Sequence, residues 1–155
     1  DITISITNPD EDWLNEKYEA EISIDVNDGS DFEIKSVSAK FGEKGESKNI
    51  TETMKYEISD NGELYITVKD VNGFTYNQEF TISYFDYEGP ELIGAINNGV
   101  LTLNAADSKV GVASLIINGY EYDNCPDGTL QIRLEQFDAS IKEFSIFALL
   151  VFDFA

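Results

Sequence analysis

Hydrophobic and polar residues alternate along most of this chain with a period of two. Ile2, Ile4 and Ile6 are separated by polar residues, and the same alternation recurs in later runs. These runs are centred on Ile24, Ala39, Ile66, Ile82, Leu103, Ile132 and Ile146. Such alternation is typical of β-strands that have one face on a core and one face in water. It predicts an all-β protein, and no window has a convincing helical stripe.

Turn motifs separate these runs at roughly even intervals. Asn97-Asn98-Gly99 and Asn118-Gly119 are examples, as are Asp60-Asn61-Gly62 and Val71-Asn72-Gly73. Asn-Gly pairs accept the positive φ angles that tight hairpins require. Short strands joined by regularly spaced turns predict a β-sandwich or a β-barrel.

The two halves of the chain resemble each other in four segments that occur in the same order. The pairs are Ile22–Asp28 with Leu101–Asp107, Ser36-Val37 with Ser114-Leu115, Gly62–Val68 with Gly128–Leu134, and Glu79–Ile82 with Glu143–Ile146. A repeat of this kind indicates two units built on one plan. The first half is longer, and its extra residues fall in the polar stretch Gly42–Lys55, which predicts a long loop.

The joint between the units is placed at Tyr87-Glu88-Gly89-Pro90. Proline cannot donate to a central β-ladder, so Pro90 suits the start of an edge strand. We therefore predict a first domain at residues 1–86 and a second domain at residues 87–155.

Charge and composition exclude several classes of function. The chain has 30 acidic and 10 basic residues, a net charge of −20, so nucleic acid and anionic membranes are not expected partners. It has no histidine and one cysteine, Cys125, so a Ser-His or Cys-His catalytic pair cannot form. We predict that the protein is not an enzyme and that its acidity serves solubility.

One acidic turn offers a candidate metal site. Its oxygen-bearing residues are Asp25, Asn27, Asp28 and Asp31. Hard oxygen ligands at this spacing suit Ca²⁺, although Gly29 and Ser36 do not fit the EF-hand loop pattern. The alternative is an exposed acidic hairpin. No other cofactor is predicted.

Four aromatic residues are candidate ligand-binding residues. Trp13 lies in a predicted loop, and Tyr87, Tyr120 and Tyr122 are near the joint in sequence. Exposed aromatic rings stack on sugars or anchor protein partners. The alternatives are that Trp13 closes the end of a core and that the tyrosines pack across strands.

Four segments of the second half of the chain carry a family resemblance: Asp86–Pro90, Asn98–Asp107, Gly111–Tyr120 and Phe152–Ala155. In these segments the chain resembles bacterial immunoglobulin-like surface repeats. Residues 118–122 and 128–138 are more specifically similar to the extracellular regions of surface proteins carried on conjugative mobile elements of gut Firmicutes. The resemblance reaches residues 1–85 only through the internal repeat. It implies two tandem immunoglobulin-like β-sandwich domains and carries over no catalytic residue.

These features together predict a non-catalytic extracellular module at a bacterial cell surface. We expect a structural spacer or an adhesion region, and the alternative is a carbohydrate-binding module. The expected partner is a protein or a glycan of unknown identity. We also expect that the polypeptide continues on both sides, with a leader before residue 1.

Overall fold

The chain forms β-strands and no helix over the residues that the computed structural model describes, which are 1–27, 32–109, 111–123, 129–133 and 146–150. Nothing in this part of the chain is a helix able to cross a membrane. The prediction of an all-β protein is confirmed. The strands are β1 Ile2–Ile6, β2 Tyr18–Val26, β3 Ile34–Phe41, β4 Lys48–Asn49, β5 Lys55–Ile58, β6 Gly62–Asp70, β7 Thr75–Ile82, β8 Glu91–Asn97, β9 Val100–Ala106, β10 Val112–Ile117, β11 Tyr120–Asp123, β12 Thr129–Arg133 and β13 Ile146–Leu150.

The chain divides into two compact units. Unit 1 is Asp1–Phe85 and unit 2 is Asp86–Ala155. The division falls one residue before the boundary that we placed after residue 86, and each unit has a hydrophobic cluster of its own.

Unit 1 contains two antiparallel sheets that share one core. The sheets have the strand orders β1-β2-β5 and β4-β3-β6-β7. Alternate residues of both sheets are buried in a single cluster, as the period of two predicts. The buried strand residues are Ile4, Ala20, Ile22, Val37, Ala39, Ile58, Leu64, Ile66, Val68 and Ile82.

Unit 2 likewise contains two antiparallel sheets. Among the described residues each has three strands, in the orders β8-β9-β12 and β11-β10-β13. Its β8–β9 and β10–β11 hairpins turn at Asn98-Gly99 and Asn118-Gly119. All four turn residues have positive φ, between 48° and 83°, which is the geometry of a type I′ turn. These two turn predictions are confirmed. The buried cluster comprises Leu101, Leu103, Ala105, Val112, Leu115, Ile117 and Ile132.

The strands pair in the same sequence order in both units. When the described strands of each unit are counted in chain order, the first, second and fifth form one sheet, and the third, fourth and sixth lie in the other, which in unit 1 also contains β7. This plan corrects one of the four matches in the sequence repeat, that of Gly62–Val68 with Gly128–Leu134. β6 pairs with β3, whereas β12 pairs with β9 and so holds the place of β5. Alternation is common to all half-buried strands, so it does not identify the partner of a strand.

The stretch from Gly42 to Lys55 is not only a loop, so that prediction is wrong in part. β4 pairs with β3 through Ser38–Asn49 and Ala39–Lys48. Ile50 follows β4 and is fully buried in the core of unit 1. The neighbours of Ile50 in sequence are polar. A single apolar residue shows no alternation, so its burial was not predictable from the sequence.

Candidate functional site

The turn between β6 and β7 is held in one conformation by a buried carboxylate. The Asp70 Oδ1 atom accepts a hydrogen bond of 2.8 Å from the Phe74 backbone N–H. The backbone N–H of Asp70 donates to the Phe74 carbonyl at 3.0 Å, and the Gly73 N–H donates to the Asp70 carbonyl at 3.2 Å. Gly73 has a φ of 94°, so this is a three-residue hairpin loop with glycine at the left-handed position. Three hydrogen bonds between Asp70 and the residues Gly73 and Phe74 therefore close the loop.

Three apolar side chains are exposed at this end of unit 1, and we call Ile34, Val71 and Phe74 the tip. Phe74 is 64% exposed, and Ile34 and Val71 are also exposed. Ile34 lies opposite Asp70 in the β3–β6 ladder, and the Val71 N–H donates to the Glu33 carbonyl at 3.0 Å. These contacts bring the start of β3 and the β6–β7 turn together, so the three exposed residues lie at the same end of unit 1.

The residues that flank this turn are anchored in the core. Phe32 packs against the core of unit 1 and meets Tyr76 edge-on, with ring centroids 5.8 Å apart. Asp70 is buried beneath the turn. The exposed tip is therefore supported by ordered aromatic and polar contacts, as a preorganised binding surface requires.

The candidate calcium ligands are not brought together by the described residues. Asp25 is exposed on β2, opposite Thr3. The Asn27 carboxamide Nδ2 donates to Thr3 Oγ1 at 2.7 Å, and Asp28 and Asp31, like Cys125, lie outside the described residues. Over the ranges that the structure describes, no three Asp, Glu, Cys or His side chains are grouped to hold a metal ion. The calcium site stays a prediction.

The four candidate aromatic residues differ in exposure. Trp13 is half-buried, and the next residue, Leu14, packs against the core of unit 1. Tyr87 and Tyr120 are exposed. Tyr122 lies opposite Leu115 in the β10–β11 hairpin and packs against the core of unit 2. Tyr120 is therefore available for stacking on a ligand, whereas Tyr122 takes part in cross-strand packing.

A buried aromatic group lies near the last residues of unit 1. Tyr84 meets Tyr18 edge-on at 6.0 Å between ring centroids and lies 5.0 Å from the ring of Phe85. Burial, with a smaller contribution from Tyr18, raises the pKa of Tyr84 to about 12. The Tyr84 hydroxyl oxygen is shielded from solvent and makes no hydrogen bond within the described part of the chain. Tyr84 therefore remains neutral at ordinary pH.

Unit 2 begins with a buried ion pair. The Asp86 side chain is almost fully buried, and its Oδ1 atom lies 3.4 Å from Lys109 Nζ. The same oxygen accepts a 3.2 Å hydrogen bond from the Glu88 backbone N–H. The pair fixes the segment that leads into β8, so its role is structural.

A groove of about 430 Å³ in unit 1 is lined partly by Asn49, Thr51 and Glu52. Thr51 Oγ1 accepts a hydrogen bond from the Val37 N–H at 2.9 Å and lies 2.8 Å from Asn49 Oδ1, to which it donates. These bonds tie the segment after β4 to β3. The Thr51 hydroxyl therefore stabilises the fold through these hydrogen bonds and is not positioned to act as a nucleophile.

The acidic residues on the sheet surfaces are solvated. Lys55 lies within 3.2 Å of both Glu19 and Glu21, and Lys17 lies 2.7 Å from Glu57. Hydrogen bonds to these carboxylates raise the pKa values of both lysines. Ion pairs at such exposed positions contribute little to stability, which fits a role of the charge in solubility.

A faint signal for the tip is present in the sequence. Val71-Asn72-Gly73 is a predicted turn, and Val71 and Phe74 are apolar residues in a segment that should be polar. An exposed apolar surface was therefore indicated only by Val71 and Phe74, which lie outside the alternating strands and beside the Asn72-Gly73 pair.

Comparisons of the chain with protein-family models, with curated proteins and with solved structures found no match.

Proposed function

We propose that this chain is a non-catalytic extracellular module of a bacterial surface protein, built from two tandem immunoglobulin-like β-sandwich domains. The strand orders support this assignment. In unit 1, the sheet β1-β2-β5 shares a core with the sheet β4-β3-β6-β7. Immunoglobulin-like sandwiches likewise place the first two strands with a later strand, opposite a sheet centred on the third and sixth strands.

The exposed tip of unit 1 is the observation that carries an adhesive role. A rigid aromatic anchor on an otherwise polar surface is typical of binding hot spots in protein interfaces. Phe74 is such an anchor, and the buried Asp70 carboxylate fixes the turn that presents it. The net charge of −20 favours encounter with a basic protein surface. We infer that the tip contacts a protein partner and that the sheets act as the spacer.

A carbohydrate-binding module is the second candidate, and Tyr120 favours it. Tyr120 follows the Asn118-Gly119 turn and is largely exposed. An exposed tyrosine ring at the end of a hairpin can stack on a sugar ring. The tip and Tyr120 are on different units, so substitutions at the two places separate the candidates.

Binding to arrays of extracellular proteins and of glycans tests the proposal. The wild-type chain is compared with Phe74→Ser and with Tyr120→Ala, each checked for an unchanged melting temperature. We expect protein binding that Phe74→Ser weakens about 30-fold, the equivalent of about 2 kcal/mol for a hot-spot residue. Tyr120→Ala should leave that binding unchanged. Glycan binding that only Tyr120→Ala removes would establish the second candidate instead.

A further inference from the structure

A pocket of about 230 Å³ lies on the outer face of the four-stranded sheet of unit 1. On β3 and β6, the residues buried in the core alternate with residues that project from the opposite, outer face of the sheet. Four of these outer residues line the pocket together with Ser47, which precedes β4: Ser38, Lys40, Tyr65 and Thr67.

An aromatic ring and an ammonium group meet in this pocket. Tyr65 lies directly opposite Lys40 in the β3–β6 ladder, and Thr67 lies opposite Ser38. The Lys40 Nζ atom is 4.9 Å from the centroid of the Tyr65 ring, which is a cation–π contact. The same Nζ atom donates a 3.0 Å hydrogen bond to the Glu43 carbonyl. The ammonium is thus held beside the ring and keeps two further donors for a ligand.

The loop that carries Ser47 follows a fixed path beside the sheet. Gly42 has a φ of 71°, and its N–H donates to the Glu63 carbonyl at 2.8 Å. The Gly45 N–H donates to the Gly42 carbonyl at 3.2 Å. A Cβ atom at Gly45 would overlap the carbonyl oxygen of Phe41, so only glycine fits there. The wall of the pocket formed by this loop is therefore built into the fold.

The hydroxyl groups of the pocket are available to a ligand. Neither Ser38 nor Ser47 uses its hydroxyl in a hydrogen bond within the described part of the chain. The Thr67 Oγ1 atom donates to Asn77 Oδ1 at 2.8 Å, and its lone pairs remain free to accept. A hydroxyl both donates and accepts, so this set of groups matches a ligand that is itself rich in hydroxyls.

The charges around the pocket disfavour a charged ligand. Burial, and then the negative charges of Glu79, Glu43 and Glu63, raise the pKa of the Tyr65 hydroxyl. Three carboxylates therefore act on this side of the sheet and repel an anion. The Lys40 ammonium inside the pocket repels a cation for the same reason. An uncharged ligand with several hydroxyls and an apolar ring face meets both conditions.

We propose that this pocket binds one neutral sugar residue, which packs on the Tyr65 ring and bonds through its hydroxyls to Lys40, Ser38 and Thr67. The pocket of about 230 Å³ is smaller than the roughly 300–1,000 Å³ typical of drug-sized ligands, which suits a single sugar ring. The site shares no residue with the tip or with Tyr120, so it is tested separately from the protein-binding and glycan-binding roles assigned to them.

Sugar binding is measured by titrating the isotope-labelled chain with glucose, galactose, mannose and N-acetylglucosamine, with backbone amide NMR shifts as the signal. At least one of the four should give saturable shifts at Ser38–Lys40 and Tyr65–Thr67, with a millimolar dissociation constant. Glucuronic acid, which adds a carboxylate to the glucose ring, should bind at least about tenfold more weakly than glucose.

Four variants, each confirmed as folded by circular dichroism, locate the site. Tyr65→Val keeps a strand-forming residue but removes the ring, so it should weaken binding at least about tenfold. Thr67→Val keeps the shape and removes the hydroxyl, so it should also weaken binding. Thr81→Val, on the same outer face opposite Glu63, is the matched control and should bind normally. Phe74→Ser, at the tip, should also leave sugar binding unchanged.

Three results would overturn the proposal. The first is the absence of saturable shifts with all four sugars up to about 50 mM, well above a millimolar dissociation constant. The second is an equal loss of binding in Thr67→Val and Thr81→Val. The third is sugar binding that survives Tyr65→Val and is removed by Tyr120→Ala, which would place the sugar on unit 2. Loss of protein binding in Phe74→Ser bears on the tip alone.

Discussion

The hydroxyl group of Tyr84 should destabilise unit 1, so replacing Tyr84 with phenylalanine should make the unit more stable. The hydroxyl oxygen is shielded from solvent and has no hydrogen-bond partner within the described residues. The ring itself is well packed, 6.0 Å from the ring of Tyr18 and 5.0 Å from that of Phe85 between centroids. Tyr84→Phe keeps both ring contacts and removes only the unsatisfied polar group.

The size of the effect follows from the cost of burying a polar group. An unsatisfied buried hydroxyl costs about 1–3 kcal/mol. Tyr84 as a whole residue is half-buried, so we expect the lower end, a gain of about 1 kcal/mol in the free energy of unfolding. For a unit of this size, that gain corresponds to a rise of about 4–8 °C in melting temperature.

The gain should also depend on pH. Burial raises the pKa of Tyr84 from 10.0 to about 12. The folded state therefore holds the phenol proton more tightly than the unfolded state. The resulting contribution to stability is fully present below pH 10 and is lost as the pH rises through about 12. Wild type should thus lose this contribution above pH 10, whereas Tyr84→Phe should not, and the difference between them should widen.

The free energy of unfolding of unit 1 is measured by urea unfolding, with tryptophan fluorescence as the signal. Trp13 is the single tryptophan of the chain and lies in unit 1, so its emission reports on that unit. Urea curves for wild type and Tyr84→Phe, recorded at pH 7 and at pH 11, give the difference in stability between the two proteins at each pH. A variant that is less stable than wild type at pH 7 would refute the reasoning, because the hydroxyl would then have a stabilising partner.

Three further predictions concern the turn, the ion pair and the acidic hairpin. Asp70→Ala should destabilise unit 1 by about 1.5–3 kcal/mol in the same urea assay, because the Phe74 N–H loses a charged acceptor, and Asp70→Asn should cost less. Lys109→Met should lower the thermal midpoint of unit 2, measured by circular dichroism, because it leaves the Asp86 carboxylate buried and unpaired. The expected loss of stability is about 2 kcal/mol, below that of a fully buried pair. Adding Asp86→Asn to Lys109→Met should recover most of this loss. The predicted calcium site requires that millimolar Ca²⁺ raise the thermal midpoint of unit 1 above its value in excess EDTA and that Asp25→Asn remove the rise; equal midpoints would refute the site.

Many of the strands were predictable, because the alternation of apolar and polar residues reflects which side chains of a strand are buried. The runs around Ile4, Ile24 and Ile66 became β1, β2 and β6, and Asn98-Gly99 formed the tight hairpin that its residue types require. Pro90 correctly predicted the start of an edge strand, since β8 begins at the next residue and lies at the edge of its sheet.

Other features had no local signal in the sequence. The length of β8 was not predictable from alternation, because Leu92–Ile96 is apolar on both faces. The matched segments Gly62–Val68 and Gly128–Leu134 are not equivalent strands, because the pattern gives the face of a residue and not the neighbour of a strand. The tip likewise depends on a tertiary contact, the pairing of Ile34 with Asp70, that joins distant parts of the chain.

Amide hydrogen exchange of the chain with a bound protein partner tests the proposed adhesive role most directly. The partner is the protein that the array identifies, and exchange is compared with and without it. The proposal predicts slowed exchange at Val71–Phe74 and at the start of β3, with no change in the β10–β11 hairpin. Protection centred on Tyr120, with the β6–β7 turn exchanging as in the free chain, would contradict it.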